Sequence, residues 1–315
     1  MTRLVEVPAQ FDDRTFDQFA GAFAQASADG GRLLFDAHTA EWASPYGLVG
    51  LLAAGAAARH RAGGAQSGPG GEKSLLTAPT NAEVASYWAR IGFFREATEL
   101  FEIHGRYPKA RGGAPPESDV LLPVTPVRAA EDVHGVVSRI QERASAILAS
   151  EVGLDPKATM GFAMALSEAC QNIVEHAGTG GWVAVQSYHW RRRLARRVVV
   201  IAVADAGVGF RHSLEPTESK RFGDRWGDAA ALEAALIQGV SRFRDPGRGQ
   251  GLKGIRNYLT RWAGKISIRS GTARIAIVPT WDDDVALKDG LPAFPGSQVL
   301  IIIPEQGAGG GSAKV

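Results

Sequence analysis

The chain has 315 residues, enough for about two domains at roughly 100–200 residues each, so a single small stapled module is excluded. Its 45% hydrophobic and 22% charged residues are an ordinary globular composition, and a net charge of +2 (35 basic against 33 acidic residues) excludes the strong field of a dedicated nucleic-acid binder. A single cysteine, Cys170, forms no internal disulfide, and the opening MTRLVEVPAQFDD lacks the basic-then-apolar order of a signal peptide, so the expected location is cytoplasmic.

From the N-terminus, the short apolar runs LVEV and RLLF alternate with helical patterns over Phe11–Ser27, Pro45–Arg61 and Asn81–Ile91, which predicts an α/β layer fold. The apolar stretch Leu48–Ala58 is far shorter than the ~20 residues of a membrane span and reads as a buried helix. GGAQSGPGG at 63–71 reads as a surface loop leading into an apolar strand, KSLLT. The Gly/Pro-rich Gly105–Ser118 segment reads as a domain boundary. The expected organisation is residues 1–104 as one domain, 105–119 as linker, 120–306 as a second domain and 307–315 as a disordered tail, with each half building its own core.

The second half opens with helical patterns over Glu131–Glu151 and Pro156–Ala177, then the hairpin-like strands WVAVQSYHW and RVVVIAVAD, a long polar segment, and the strands KISIR, ARIAIV and QVLIII. That order predicts an α+β domain with a mostly antiparallel sheet. The Arg191–Arg197 run RRRLARR joins two strands and reads as an exposed hairpin turn.

Three clusters carry chemistry. Helix Pro156–Ala177, with Asp155 as N-cap and Gly178 past its end, places Glu168, Asn172 and His176 four residues apart on one stripe. The apolar run ending at Asp205 is followed by Gly207 and Gly209, which let backbone approach a ligand closely. DPGRGQGLKGI sets Gly247, Gly249 and Gly251 just before a helix starting at Leu252, where backbone N–H groups can hold a phosphate. Neither a Walker loop nor a dinucleotide-binding strand–loop–helix motif is present.

The ordered set E-x-x-x-N-x-x-x-H, D-x-G-x-G and G-x-G-x-G-L, over roughly Val124–Pro304, resembles the GHKL ATPases, which fold as two-layer α+β domains; the lid sequence is most similar to those of anti-sigma-factor serine/threonine kinases. The resemblance implies ATP and Mg²⁺ as cofactors, Glu168 as the catalytic base, Asn172 as the Mg²⁺ ligand and Asp205 as the adenine reader. It further implies Gly207 and Gly209 beside adenine, Arg211–Arg248 as a mobile lid, and Gly249, Gly251 and Leu252 at the phosphates. Arg248 either touches the γ-phosphate or stands in solvent. Where the family often has Gly-Thr, this chain reads Gly296-Ser297, and SGTA at Ser270–Ala273 is a competing assignment.

LLFDAHTAEWASPYGLVGLLAAG and PTNAEVASYWARIGFF resemble the STAS domain of anti-sigma-factor antagonists over residues 1–104. In that family a hydroxyl residue before the central helix accepts phosphate. Pro45 stands at that place, leaving Ser44 and Tyr46 as substitutes and implying a docking or dimerisation module. The implied function is a Mg-ATP-dependent regulator that phosphorylates or sequesters a protein partner such as a STAS antagonist or sigma factor; the alternative is an ATP-gated scaffold without phosphate transfer. Nucleic acid is not an expected partner, and a homodimer is compatible with the resemblance, since related kinases often pair. A histidine kinase is disfavoured because His134 lacks the surroundings of a phosphoacceptor.

Overall fold

The computed structural model describes residues 1–28, 30–63, 72–108, 120–128, 179–191, 194–240 and 251–305, together with the helical positions Ser138, Ser167, Cys170 and Gln171. The first unit runs β1 (Thr2–Glu6), β2 (Gln10–Phe11), α1 (Phe16–Ala28), β3 (Arg32–Asp36), β4 (Trp42–Ala43), α2 (Pro45–Gly63), β5 (Ser74–Thr77), α3 (Ala82–Arg90), α4 (Phe93–Leu100) and β6 (Phe101–His104). Strands β1, β3, β5 and β6 form a parallel sheet in that spatial order. Helix α1 starts at Phe16 rather than Phe11, because the Asp12 carboxylate accepts the backbone N–H groups of Arg14 and Thr15 and holds residues 12–15 in a turn.

Helix α2 starts at Pro45 as expected, and Ser44 caps it: its Oγ accepts the Gly47 N–H at 3.2 Å and its carbonyl the Leu48 N–H at 3.1 Å. Asn81 does the same for α3, accepting from the N–H groups of Glu83 and Val84.

The second unit contributes β7 (Val120–Val127), β8 (Gly181–Trp190), β9 (Arg196–Asp205), α5 (Gly209–Phe222), α6 (Asp228–Glu233) leading into a π-helical turn at Ala234–Gln238, α7 (Gly251–Arg261), β10 (Lys265–Gly271), β11 (Ala273–Ile277), β12 (Leu287–Lys288) and β13 (Phe294–Pro304). Its sheet is antiparallel throughout, in the order β12-β11-β10-β13-β9-β8-β7. The short strands β6 and β12, and the longer β7 with its two prolines, carry no pattern strong enough to stand out in the sequence. Residues 211–238, expected as part of a mobile lid, are mostly helical, and Leu232, Ala234 and Leu236 are fully buried, so that expectation is corrected for this stretch. Residues 241–250 lie outside the described residues.

Both faces of the seven-stranded sheet are covered. On one face Val183, Val185, Val199, Ile201, Val203, Val299 and Ile301 pack with Leu214, Leu232 and Ile255 of the second unit's own helices. On the other, Ala184, Val198, Val200, Ala202, Leu300 and Ile302 pack against the first unit, chiefly α2. The core of the first unit is therefore continuous with one face of the second, where separate cores were expected.

This arrangement explains two sequence features. The unbroken apolar run of β9 reflects burial of both strand faces, since a half-exposed antiparallel strand would alternate. Helix α2 has apolar or small residues all round because it lies between two sheets. Gly50 and Gly55 permit that approach: a Cβ at Gly50 would stand 2.4 Å from the Phe16 ring and from Gln298 Nε2, and one at Gly55 2.2 Å from the Phe101 ring. Complete burial of Leu48, Leu51 and Leu52 stabilises the fold by about 1.5–3 kcal/mol each.

Towards β10 and β11 the junction turns ionic. Lys265, 2% exposed, lies 3.2 Å from Asp13, 3.2 Å from Asp282 and 3.0 Å from Asp284. Arg269 pairs with Asp17 at 3.2 Å, donates to the Pro292 carbonyl and lies over the Phe16 and Phe294 rings. Arg274 makes a two-pronged contact with Asp284. Among the described residues no helix is long and apolar enough to cross a membrane.

Candidate functional site

A polar row crosses the helix-covered face at one end of the sheet. In register, Ser270 of β10 stands opposite Ser297 of β13, and Gly181 of β8 opposite Asp205 of β9. The β13–β9 register brings Ser297 to Asp205, and its hydroxyl donates to Asp205 Oδ2 at 2.5 Å. The Gly207 N–H donates to Oδ1 at 2.8 Å. Asp205 therefore has a donor on each carboxylate oxygen and only 1% of its surface exposed. Burial pushes its carboxyl up to about 6, against the opposing pull of the Ser297 and Gly207 bonds.

Two glycines make this packing possible. Gly296 has φ +67°, and a Cβ there would stand 2.2 Å from the Asp205 carbonyl oxygen and 2.5 Å from Oδ1. Gly209 has φ +72°, and a Cβ there would stand 2.6 Å from Ser270 Oγ. The glycines therefore let three chain segments close around one carboxylate.

The competing SGTA segment has other work. Ser270 Oγ donates to the Gly296 carbonyl at 3.0 Å and accepts the Phe210 N–H at 3.0 Å, tying α5 to β13. The Thr272 N–H and hydroxyl both donate to Asp228 Oδ2 at 2.8 Å. Ser297 is thus the hydroxyl that touches Asp205, and Thr272 is bonded to Asp228.

Of the other residues singled out in the sequence, Gly207 and Gly209 follow Asp205 directly, Gly251 opens α7, and Leu252 is buried in the core on the same sheet face. Glu168, Asn172, His176, Arg248 and Gly249 lie outside the described residues. Ser167, Cys170 and Gln171 from the same sequence stretch are helical, and Gln171 Nε2 donates to Ser167 Oγ four residues earlier. Cys170 is fully buried among apolar residues, and burial pushes its thiol up to about 12, which fits a core role. Among the described residues no group of three or more His, Cys, Asp or Glu is placed to hold a metal ion.

The two substitute phosphoacceptors beside Pro45 are closed off. Ser44 is 6% exposed and occupied in capping α2, while Tyr46 is 2% exposed and packed edge-on against Phe16.

Sequence reasoning missed Ser270 as the brace of this site and missed the docked first unit behind it. The alternation within β13 held the signal for the second: Ser297 faces the site, and Gln298 faces α2.

Residues 131–262 match the family of histidine kinase-like ATPase domains, which marks this stretch as an ATP-binding domain of the GHKL type. Asp205, Gly207, Gly209 and the start of α7 fall inside the match, whereas Ser270 and Ser297 come from strands beyond it. No curated protein matches the chain.

Proposed function

We propose that the chain is a Mg-ATP-dependent regulatory protein of the anti-sigma-factor serine/threonine kinase type, acting by phosphorylating or sequestering a protein partner, with residues 1–104 as a STAS-like docking unit. The observation that carries this reading is the buried Asp205 carboxylate, bonded by Ser297 and Gly207 at the end of β9 within the ATPase domain.

The residues fit an adenine nucleotide. Each Asp205 oxygen accepts one hydrogen bond and retains acceptor capacity for an exocyclic amine, and Ser297 holds the carboxylate in orientation. A fully buried acceptor flanked by glycines recognises a planar base by exclusion of water as well as by its hydrogen bond. Gly249 and Gly251 would offer backbone N–H groups to phosphate oxygens, Asn172 an oxygen ligand to the metal, and Glu168 a base for the hydroxyl of a partner protein. When bound, Mg-ATP would supply the phosphoryl group that is transferred.

A specific observation favours the alternative of ATP-gated binding without transfer. The first unit has no accessible hydroxyl at the start of α2 and is fastened to the sheet that carries Asp205, so it is built to report on nucleotide occupancy.

Calorimetric titration with ATP and ADP, with and without Mg²⁺, tests the shared premise. Binding that is lost in Asp205→Asn supports it, and no binding by the wild-type chain overturns it. Label transfer from γ-labelled ATP to a protein in cell extract, abolished by Glu168→Ala, then separates the kinase from the scaffold.

A further inference from the structure

Helix α5 begins without a cap of its own. The first N–H groups of an α-helix lack intrahelical acceptors, and Val208, in the N-cap position, has no side-chain oxygen to supply one. The acceptor comes from across the fold, where Ser270 Oγ on β10 takes the Phe210 N–H at 3.0 Å.

Strand β13 leaves a second group open at the same place. Its pairing with β10 sets Ser297 opposite Ser270 but Phe294 opposite Gly271, so an irregularity there takes Pro295 and Gly296 out of the ladder. The Gly296 carbonyl is met by the Ser270 hydroxyl, which donates to it at 3.0 Å. A hydroxyl both donates and accepts, so one atom, on a residue 3% exposed, closes the start of a helix and the bulge of a strand.

Both segments bear on Asp205. Gly207, which donates to Oδ1, lies three residues before Phe210, and Ser297, which donates to Oδ2, directly follows Gly296. The segments also touch each other: a Cβ on Gly209 would stand 3.1 Å from the Gly296 carbonyl oxygen, and one on Gly296 2.5 Å from Asp205 Oδ1. Neither segment can shift without disturbing a donor to the carboxylate.

We infer that Ser270 is a positioning residue for nucleotide binding. Its hydroxyl holds Gly207–Phe210 and Gly296–Ser297 in the arrangement that aims the Asp205 carboxylate at the base, and so makes base affinity depend on the docking of α5. This rests on Asp205 being the base acceptor, as proposed above. Ser270 acts through its neighbours rather than on the carboxylate itself. Removing its hydroxyl leaves the Gly296 carbonyl and the Phe210 N–H without a partner at once, and both donor-bearing segments relax.

Calorimetry of the full chain with ADP and with Mg-ATP, well below the melting temperature of each variant, tests this. Ser270→Ala is expected to weaken both nucleotides about tenfold, the equivalent of one ordinary hydrogen bond. The factor should be the same for both, because the defect lies at the base end that they share. Ser270→Thr keeps the hydroxyl on a branched side chain suited to a strand, and is expected to bind as wild type does. Thr272→Val is the control for stability: it removes a hydroxyl bonded to Asp228 two residues along the same hairpin, and should lower the melting temperature without changing affinity. Wild-type affinity in Ser270→Ala overturns the inference and leaves the base-acceptor reading standing. A loss in Thr272→Val equal to that in Ser270→Ala, or a loss confined to Mg-ATP, overturns it as well. A wild-type chain that binds neither nucleotide overturns the reading and the inference together.

Discussion

The Ser297 hydroxyl donates to Asp205 Oδ2 at 2.5 Å from the strand alongside, and this one contact joins the last strand of the chain to the motif that ends β9. It opposes the effect of burial on the Asp205 carboxyl, which would otherwise rise further above its ordinary value of 3.8.

Asp205→Asn should therefore separate stability from binding. The carboxyl titrates near 6 in the folded chain and near 3.8 when unfolded, so above pH 6 its charge opposes folding, by an amount on the order of 3 kcal/mol. An amide without the charge keeps its oxygen as acceptor for the Gly207 N–H, and its NH2 donates to the Ser297 oxygen in place of the bond that the hydroxyl gave to the carboxylate. The variant is expected to melt higher than wild type at pH 8 in differential scanning fluorimetry while losing adenine-nucleotide binding in calorimetry.

The same titration sets a pH profile. The folded chain takes up a proton as pH falls from 6 towards 4, so stability from this group increases over that window while the ionised acceptor is lost. Nucleotide affinity of the wild type should be about tenfold weaker at pH 5 than at pH 7, and the residual binding of Asp205→Asn should show no such slope.

Ser297→Ala removes a bond to the charged form, worth about 1.5–3 kcal/mol, and should move the pH midpoint of binding upward. Ser297→Thr, which keeps the hydroxyl, should leave the midpoint in place. Equal midpoints in the Ala variant and wild type would show that the hydroxyl does not tune the carboxylate.

Lys265→Met is expected to cost about 3–5 kcal/mol in urea denaturation, because it leaves Asp13, Asp282 and Asp284 gathered without their common cation. The acid limb of stability should show the same cluster. Burial would raise the Asp284 carboxyl, but Arg274 and Lys265 hold it down at about 2, so its contribution is present above pH 4 and fades as pH falls towards 2.

Gln298→Leu should stabilise the chain by about 1–2 kcal/mol, since the Gln298 side chain is 1% exposed and neither atom of its amide has a partner. Nucleotide affinity should be unchanged, as Gln298 faces α2. A loss of affinity would reveal transmission through β13.

Much of the fold was legible because it is written in local patterns. LVEV, RLLF, KISIR, ARIAIV and QVLIII became strands, and Ser44 with Pro45 set the start of α2 where the spacing put it. Asp205, Gly207 and Gly209 were legible from their position after an apolar run. The junction between the units was not, because Lys265 and Arg269 look like ordinary surface residues and their partners Asp13 and Asp17 lie 252 positions away. Nor could local pattern tell that both faces of β9 would be covered by different parts of the chain, or that residues 209–238 would bury Leu232 and Leu236.

Helix α2 belongs to two sheets at once, and this limits how the chain can be divided. Residues 120–315 produced alone would present Val200, Ala202, Leu300 and Ile302 to water, and residues 1–108 alone would present the matching side of α2. Each fragment should aggregate by itself, and the pair should recover a soluble complex when synthesised together.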